Sequence, residues 1–171
     1  MQPSHESKTR DGTSGSIRLR RVEPRDLGLL YEIQAQPDGN DMAGTKPRPR
    51  EAFFAAWEKH FTDPGVSGWV IERHAGDAAE IVGSISRFVA DGHDSMGYWI
   101  AQDHWGKGIA SRALTLFLAQ ETCRPLHATT AKNNAASRKI LERCGFECLG
   151  FRFGEETERY LPRDIADFVL R

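Results

Sequence analysis

Residues 105–110 read WGKGIA, and they constrain this chain more than any other short stretch. Two glycines flank Lys107, and a helical pattern with Ile109, Ala113 and Phe117 in register begins directly after them. Glycines tolerate the unusual backbone angles and the close approach that such a turn needs. A glycine-rich turn at the start of a helix presents backbone N–H groups to an anion. The stretch therefore predicts a phosphate site.

Two well-known phosphate loops fit this stretch poorly. A Walker A loop needs Gly-Lys followed by Ser or Thr, whereas Lys107 precedes the second glycine. A dinucleotide-binding loop of an oxidoreductase needs glycines directly after a strand and an acid about 20 residues further on. Residues 102–105 separate Gly106 from the predicted strand end, and residues 125–130 contain no acid. A loop that binds a pyrophosphate through backbone amides alone remains as the third possibility.

Apolar periodicity divides the rest of the chain into one α/β (α+β) domain. Strands are predicted at 16–23, 69–74, 80–88, 94–101, 125–130, 146–153 and 165–170, and helices at 24–36, 50–61, 109–121 and 133–146. The stretch Pro37–Pro49 is predicted to be a loop, because it is dense in Gly, Pro, Asn and Asp. Asn133 or Asn134 is expected to cap the last helix, and Gly145 is expected to end it.

Composition and charge exclude several classes of protein. The net charge of −1 gives no electrostatic indication of nucleic-acid binding, and no apolar run is long enough to predict a membrane span. Residues 1–15 lack the apolar segment of a secretory signal and are interpreted as a disordered arm, which leaves 16–171 as the single domain. The odd count of three cysteines favours the cytoplasm, and their spacing predicts no metal site.

Two ordered motifs lie in the second half of the chain, GYWIAQDHWGKGIASRAL at 97–114 and NNAASRKILERCGF at 133–146. Together they resemble the GNAT superfamily of acetyl-CoA-dependent N-acetyltransferases, whose phosphate loop has the pattern Q/R-x-x-G-x-G/A. Trp105 replaces the Gln or Arg of that pattern. In this respect the chain looks like the branch that includes the ribosomal-protein-alanine (Rim-type) acetyltransferases. The resemblance extends from about Ile17 to the C-terminus, and the first half matches only in the order of its elements.

The resemblance implies a GNAT-like acyl-CoA N-acyltransferase fold, with a mixed sheet of about six or seven strands splayed in the middle and about four helices. It implies direct transfer of an acetyl group from acetyl-CoA, without a metal, to a primary amine in a ternary complex. The acceptor would be a protein N-terminus, an antibiotic, a polyamine or another small amine. The alternative is a non-catalytic acyl-CoA sensor or regulatory module. The apolar segment at 165–170 permits a homodimer through the last strands, as in many relatives.

The same resemblance assigns the cofactor-binding residues. Backbone amides of one strand would hold the pantetheine arm and the acetyl oxygen, and the loop would hold the pyrophosphate. Asn134 would contact the pantetheine while also capping its helix. The expected set is Trp99, Ile100, Ala101, Trp105, Gly106, Lys107, Gly108, Ile109, Ala110, Asn134 and Ser137.

The catalytic residues are also assigned by resemblance. Ser137, or Tyr160 in its place, is expected to protonate the leaving thiolate. Glu156 is the expected general base, with Glu155 and Glu158 as neighbouring alternatives, although a fully solvated glutamate is a weak base with a pKa near 4.3. His127 is an alternative base whose ordinary pKa is more suitable. The aromatic helix at 50–61 and the segment at 37–49 are expected to wall and cover the acceptor site.

Overall fold

The computed structural model describes residues 15–171, so residues 1–14 of the predicted N-terminal arm lie outside the described residues. The strands are β1 (Ser16–Arg21), β2 (Ser67–Ala75), β3 (Ala78–Ala90), β4 (His93–Ile100), β5 (Leu126–Ala131), β6 (Glu147–Gly154) and β7 (Arg163–Leu170). The helices are α1 (Leu27–Gln34), α2 (Pro37–Ala43), α3 (Arg50–His60), α4 (Ile109–Gln120) and α5 (Ala135–Arg143). Within residues 15–171, none of the helices has both the length and the apolar character that a membrane crossing needs.

The seven strands form one mixed sheet in the order β1-β2-β3-β4-β5-β7-β6. Strands β1 to β4 make an antiparallel meander, and β5, β7 and β6 make a second antiparallel group. Only the central pair, β4 and β5, runs parallel, because α4 crosses over between them. The predicted mixed α/β sheet of about six or seven strands is confirmed.

The sheet opens between β4 and β5. These strands share a single residue pair, Ser95 with His127, whereas β3 and β4 pair along eight residues. That pair lies near the start of both strands, so their carboxyl ends separate and leave a wedge-shaped split. This split is the splayed middle of the sheet that the resemblance implies, and it lies between the strands predicted at 94–101 and 125–130.

A continuous apolar core holds both halves of the sheet in place around the split. Helix α4 supplies Ala113, Leu114 and Phe117, all without solvent exposure. These side chains pack in one cluster with residues from both halves, among them Ile85 of β3 and Phe168 of β7. A second cluster joins α1 and α3 to β2 and β3. Packed side chains, rather than pairing between β4 and β5, therefore hold the two halves of the sheet together at the split.

The prediction of a loop over 37–49 was wrong for its first half, which forms helix α2. A proline occupies its first helical position, where the missing N–H costs nothing, and Gly44 ends it with φ 67°. The buried Asn40 side chain donates to the carbonyls of Gln34, at 2.7 Å, and Gln36, at 3.0 Å. These bonds fix a short helix that the Gly and Asn content had concealed, and the structure thus has five helices where about four were predicted.

Candidate active site

The glycine loop, residues 105–110, leads into the N-terminus of α4, where backbone N–H groups have no hydrogen-bond acceptor within the helix. Gly106 and Gly108 have φ angles of 73° and 71°, which favour glycine. Gly108 is the N-cap, and no side chain caps the helix. The first N–H groups of a helix have no partner within it, so those of Ile109, Ala110 and Ser111 are available to an anion. Ser111 was not part of the predicted set.

Trp105 fastens this loop to the end of β4. Its indole Nε1–H donates to the carbonyl of Ile100 at 2.9 Å, and the ring packs against the core. The tryptophan thus supports the loop by a bond to the sheet, which explains how it can stand where the family pattern has Gln or Arg. Lys107, in contrast, is exposed and contributes no lining to the cavity described next.

A cavity of about 580 Å³, the loop cavity, lies between the glycine loop, β4 and α5. Lys139 and Arg143 line it from α5, one helical turn apart and on the same face. His104 lines it from the other side, and its Nδ1 is buried without a hydrogen-bond partner among the described residues. Sequence reasoning did not assign Arg143 or His104, although the spacing of Lys139 and Arg143 was visible.

The amides of β4 do not all face the split, which corrects one prediction. The N–H of Ala101 donates to the carbonyl of Val82 at 2.8 Å and is therefore used within the sheet. N–H directions alternate along an extended strand, so the Trp99 N–H faces β3 as well and the Ile100 N–H faces the split. Of the three predicted amides, Ile100 is the one directed at the opening. Trp99 lines the loop cavity with its side chain instead.

Asn134 caps α5, which confirms one of the two alternatives for the cap. Its Oδ1 accepts a hydrogen bond from the Ser137 N–H at 3.2 Å. The cap uses only the oxygen, so the Nδ2 donor is left for a ligand. Asn134 lines the loop cavity.

Tyr98 and Ser137 form a hydroxyl pair that sequence reasoning missed. The two hydroxyl oxygens lie 2.7 Å apart. Burial raises the pKa of Tyr98 above its usual value of 10.0, so the phenol stays protonated at neutral pH. Its partner could not be inferred from the sequence, because Tyr98 lies on β4 and Ser137 on α5, 39 positions apart.

A second cavity of about 530 Å³, the central cavity, adjoins the first on the other side of this pair. The two cavities share Ala43, Tyr98, Trp99, Asn134 and Ser137. Tyr160 lines the central cavity but not the loop cavity. The tyrosine bonded to Ser137 is thus Tyr98 and not Tyr160.

Glu156 lies outside both cavities. Its carboxylate pairs with Lys46 at 2.7 Å, and its side chain is 60% exposed. The Lys46 ammonium lowers the pKa of Glu156, which makes the carboxylate a weaker base. Glu155 and Glu158 are exposed as well. His127, the other predicted base, stacks on His93 with ring centroids 4.6 Å apart, at the closed end of the split.

His60 is the imidazole that the structure places in the central cavity. It is half-buried at the end of α3 and packs edge-on against Trp57. Burial is the main cause that lowers the pKa of His60 below 6.5, and Arg48 adds to the effect while Asp63 opposes it. The imidazole is therefore neutral at pH 7 and able to accept a proton.

Comparisons with known proteins agree with this geometry. A family model described as an acetyltransferase (GNAT) domain matches residues 16–147. No curated protein matches the chain. Among solved structures, the spermidine N-acetyltransferase from Vibrio cholerae, in complex with CoA and spermine, superimposes with a TM-score of 0.71 at 20% identity, covering 90% of this chain and 95% of that one. Mycobacterium smegmatis RimJ in complex with CoA-disulfide gives 0.70 at 24%, covering 92% and 83%.

Proposed function

Because the chain belongs to the GNAT family of acetyltransferases, we propose that it moves the acetyl group of acetyl-CoA directly to a primary amine within a ternary complex. The observation that carries this proposal is the meeting of two cavities of about 580 and 530 Å³ at one hydroxyl pair. Two substrates that enter from the two sides would place their reacting groups together at Tyr98 and Ser137. Such positioning removes a large part of the barrier to a bimolecular reaction.

The loop cavity would hold acetyl-CoA. The N–H groups at the start of α4 suit the pyrophosphate, and Lys139 and Arg143 suit the remaining phosphate charge. The Ile100 N–H, which faces the split, would bond the acyl arm, and the Asn134 Nδ2 would donate to the pantetheine. These contacts lead the thioester from the loop toward Ser137.

The chemistry requires a proton donor for the leaving group. The amine nitrogen attacks the thioester carbonyl, the C–S bond breaks, and the CoA thiolate leaves. We assign the proton donated to the sulfur to the Ser137 hydroxyl, with the Tyr98 phenol hydrogen-bonded behind it. The raised pKa of Tyr98 keeps that phenol protonated throughout the neutral range. Tyr160 instead belongs to the wall of the acceptor site.

The general base that we favour is His60. An acceptor amine is protonated in water and must lose a proton before it attacks. Among the described residues that line the central cavity, His60 is the imidazole and Asp63 is the one carboxylate, and Asp63 is exposed. The neutral, half-buried imidazole therefore replaces Glu156 as the first candidate, acting directly or through a water molecule.

Binding and turnover of acetyl-CoA test the proposal together. Acetyl-CoA at about 100 times its dissociation constant should stabilise the fold by roughly 2.7 kcal/mol, which raises Tm by about 5 to 11 °C for a domain of this size. NADH and ATP serve as controls. Release of free CoA thiol with an amine panel then reports transfer. Stabilisation without transfer to any amine would favour the non-catalytic acyl-CoA sensor, and no stabilisation would refute the cofactor assignment.

We also propose a homodimer through the edge strand β6. Leu149, Phe151 and Phe153 are 52%, 50% and 60% exposed on this strand. An apolar edge strand of this kind invites pairing with another chain. Light scattering should report a dimer for the wild type, and Phe153→Lys should shift it to the monomer. A wild-type monomer at high concentration would refute this contact.

A further inference from the structure

The central cavity has a positive wall, although the whole chain has a net charge of −1. Arg48, Arg159 and Arg163 line it. Asp63 is the one carboxylate among the described residues that line the cavity. The cavity is therefore electropositive where a cationic acceptor would need acids.

None of these three arginines pairs with a carboxylate in the described part of the chain, although all three are half-buried. Arg20 and Arg87, which are partly buried as well, each bond two carboxylates. Arg138, which does not line this cavity, is half-buried and bonds a backbone carbonyl and an aromatic ring instead. Buried charges are normally paired, because desolvation without a partner is costly. What needs an explanation is that three such arginines line one cavity.

The backbone holds two of these guanidinium groups in place without neutralising them. Arg159 Nη1 donates to the Lys46 carbonyl at 2.6 Å, and Arg163 Nη1 reaches the Gly44 carbonyl at 3.4 Å. The Arg163 guanidinium lies 4.2 Å from the ring centroid of Tyr160, and its Nε is buried with no hydrogen-bond partner among the described residues. Donors therefore remain for a ligand.

Arg159 and Arg48 also lie close enough to repel. Burial lowers the pKa of Arg159, and the charge of Arg48 lowers it further. Arg48 acts in the same direction on the pKa of His60. An anion placed among these groups would relieve the repulsion, whereas a second cation would increase it.

We propose that the amine acceptor is a small molecule that also carries an anionic group, a carboxylate or a phosphate, which Arg48, Arg159 and Arg163 bind in the central cavity. This inference rests on the proposed acetyl transfer and specifies its substrate class. Guanidinium groups match carboxylate and phosphate oxygens in bidentate geometry. The volume of about 530 Å³ suits a small ligand. A polyamine, which brings only positive charge, does not fit this wall.

Matched pairs of amines test the proposal. Phenylalanine is compared with phenethylamine, γ-aminobutyrate with butylamine, and 2-aminoethylphosphonate with ethylamine, and spermidine serves as the polycationic control. Thiol release from acetyl-CoA gives kcat/KM, and Tm of the CoA-saturated protein gives binding without turnover. In kcat/KM, at least one amine that carries an anionic group should exceed its partner without that group by about tenfold or more, the effect of one charged hydrogen bond. The carboxylate and phosphonate arms show which anion the arginines prefer.

Variants tie the preference to the arginines. Arg159→Met and Arg163→Met should each raise KM for the anionic acceptor and leave KM for acetyl-CoA unchanged, and Arg159→Lys should restore part of the loss. Arg171→Met is the control, since Arg171 is exposed and pairs with Glu147 away from the cavity. Melting curves identify any variant that fails to fold. If a variant does not fold, the matched amines assayed with the wild-type protein still test the proposal.

The outcomes separate this inference from the proposed function. If the amines without an anionic group, or spermidine, are acetylated as well as those that carry one, the proposed acetyl transfer holds and the inference fails. If no amine is acetylated, the Tm measurement decides: ligands with an anionic group that stabilise the protein no more than their partners without it refute the inference. Loss of acetyl-CoA stabilisation, in contrast, is a failure of the cofactor assignment and is seen before any amine is added.

Discussion

Replacing Tyr98 by phenylalanine tests the hydroxyl pair on which the proposed proton transfer depends. The change removes one oxygen and leaves the aromatic ring, so the packing of β4 against α5 is preserved. The lost bond joins two hydroxyl oxygens 2.7 Å apart. A neutral hydrogen bond contributes about 1 kcal/mol to the free energy of unfolding, which for a domain of this size lowers Tm by about 2 to 4 °C.

The effect on turnover should be larger than the effect on stability. A positioned proton donor contributes about 100- to 10,000-fold to a rate. Tyr98 supports that donor rather than reaching the sulfur itself, so we expect kcat to fall by about 10- to 100-fold, below the loss in Ser137→Ala. KM for acetyl-CoA should not change, because the phosphate contacts lie at the loop.

The chain offers its own controls, since it contains three tyrosines in all. Thiol release under saturating substrates is measured for the phenylalanine variants of Tyr31, Tyr98 and Tyr160. Tyr31→Phe should behave as wild type, because its ring packs on Phe53 away from both cavities. If Tyr160→Phe loses kcat while Tyr98→Phe keeps it, the geometric argument is refuted and the assignment of Tyr160 from resemblance is correct.

Three further predictions follow from charge and backbone geometry. Burial lowers the pKa of His60 below 6.5, so kcat/KM should stay constant as the pH is lowered to 6.5 and should decrease at more acidic pH, where the imidazole becomes protonated. His60→Gln should abolish this decrease at acidic pH. Glu156→Gln should leave the pH profile unchanged. Gly108→Val forces a β-branched residue to φ 71°, which costs about 1 to 3 kcal/mol of stability, and calorimetry should show weaker binding of acetyl-CoA. Gly76→Val is the control, because it imposes the same strain at φ 60° in an exposed turn. This control variant should be less stable than the wild type but should bind acetyl-CoA with unchanged affinity. The buried Asp26 has a pKa lowered from 3.8, chiefly by hydrogen bonds from Arg20, so its contribution to stability is present above 3.8 and is lost as the pH falls through the lowered pKa. Asp26→Asn should cost about 3 kcal/mol in urea unfolding at pH 7. This cost should shrink progressively as the pH is lowered below 3.8, and a cost that does not change with pH would contradict the ion-pair argument.

Local chemistry made parts of the fold and site predictable from the sequence. The glycines at 106 and 108 and the helical period that follows identify the loop, because both signals depend on neighbouring residues only. Asn134 was predicted as a cap for the same reason, since a cap bonds a residue three positions away. The order of elements, together with the resemblance, gave the mixed sheet and its central split.

Contacts between distant segments could not be predicted in this way. The bond between Tyr98 and Ser137 depends on how α5 packs over β4, and the use of the Ala101 N–H depends on the register with β3. Glu156 was assigned by resemblance, which gives no information about the ion pair with Lys46 that holds it at the surface. Helix α2 was missed for another reason, since the Asn40 bonds that fix it are local, to Gln34 and Gln36, but the Gly and Asn content of the segment indicated a loop.

The split between β4 and β5 has a kinetic consequence. Since the packed core of α4 spans both halves of the sheet, the wedge is already open before any ligand arrives, and no strand has to detach to admit one. Association should therefore be a simple docking event, with an observed rate that rises in proportion to ligand concentration and without a saturating slow phase. Stopped-flow traces that are single-exponential up to high concentration would identify a rigid entrance, whereas a plateau in the observed rate would reveal a hidden gate.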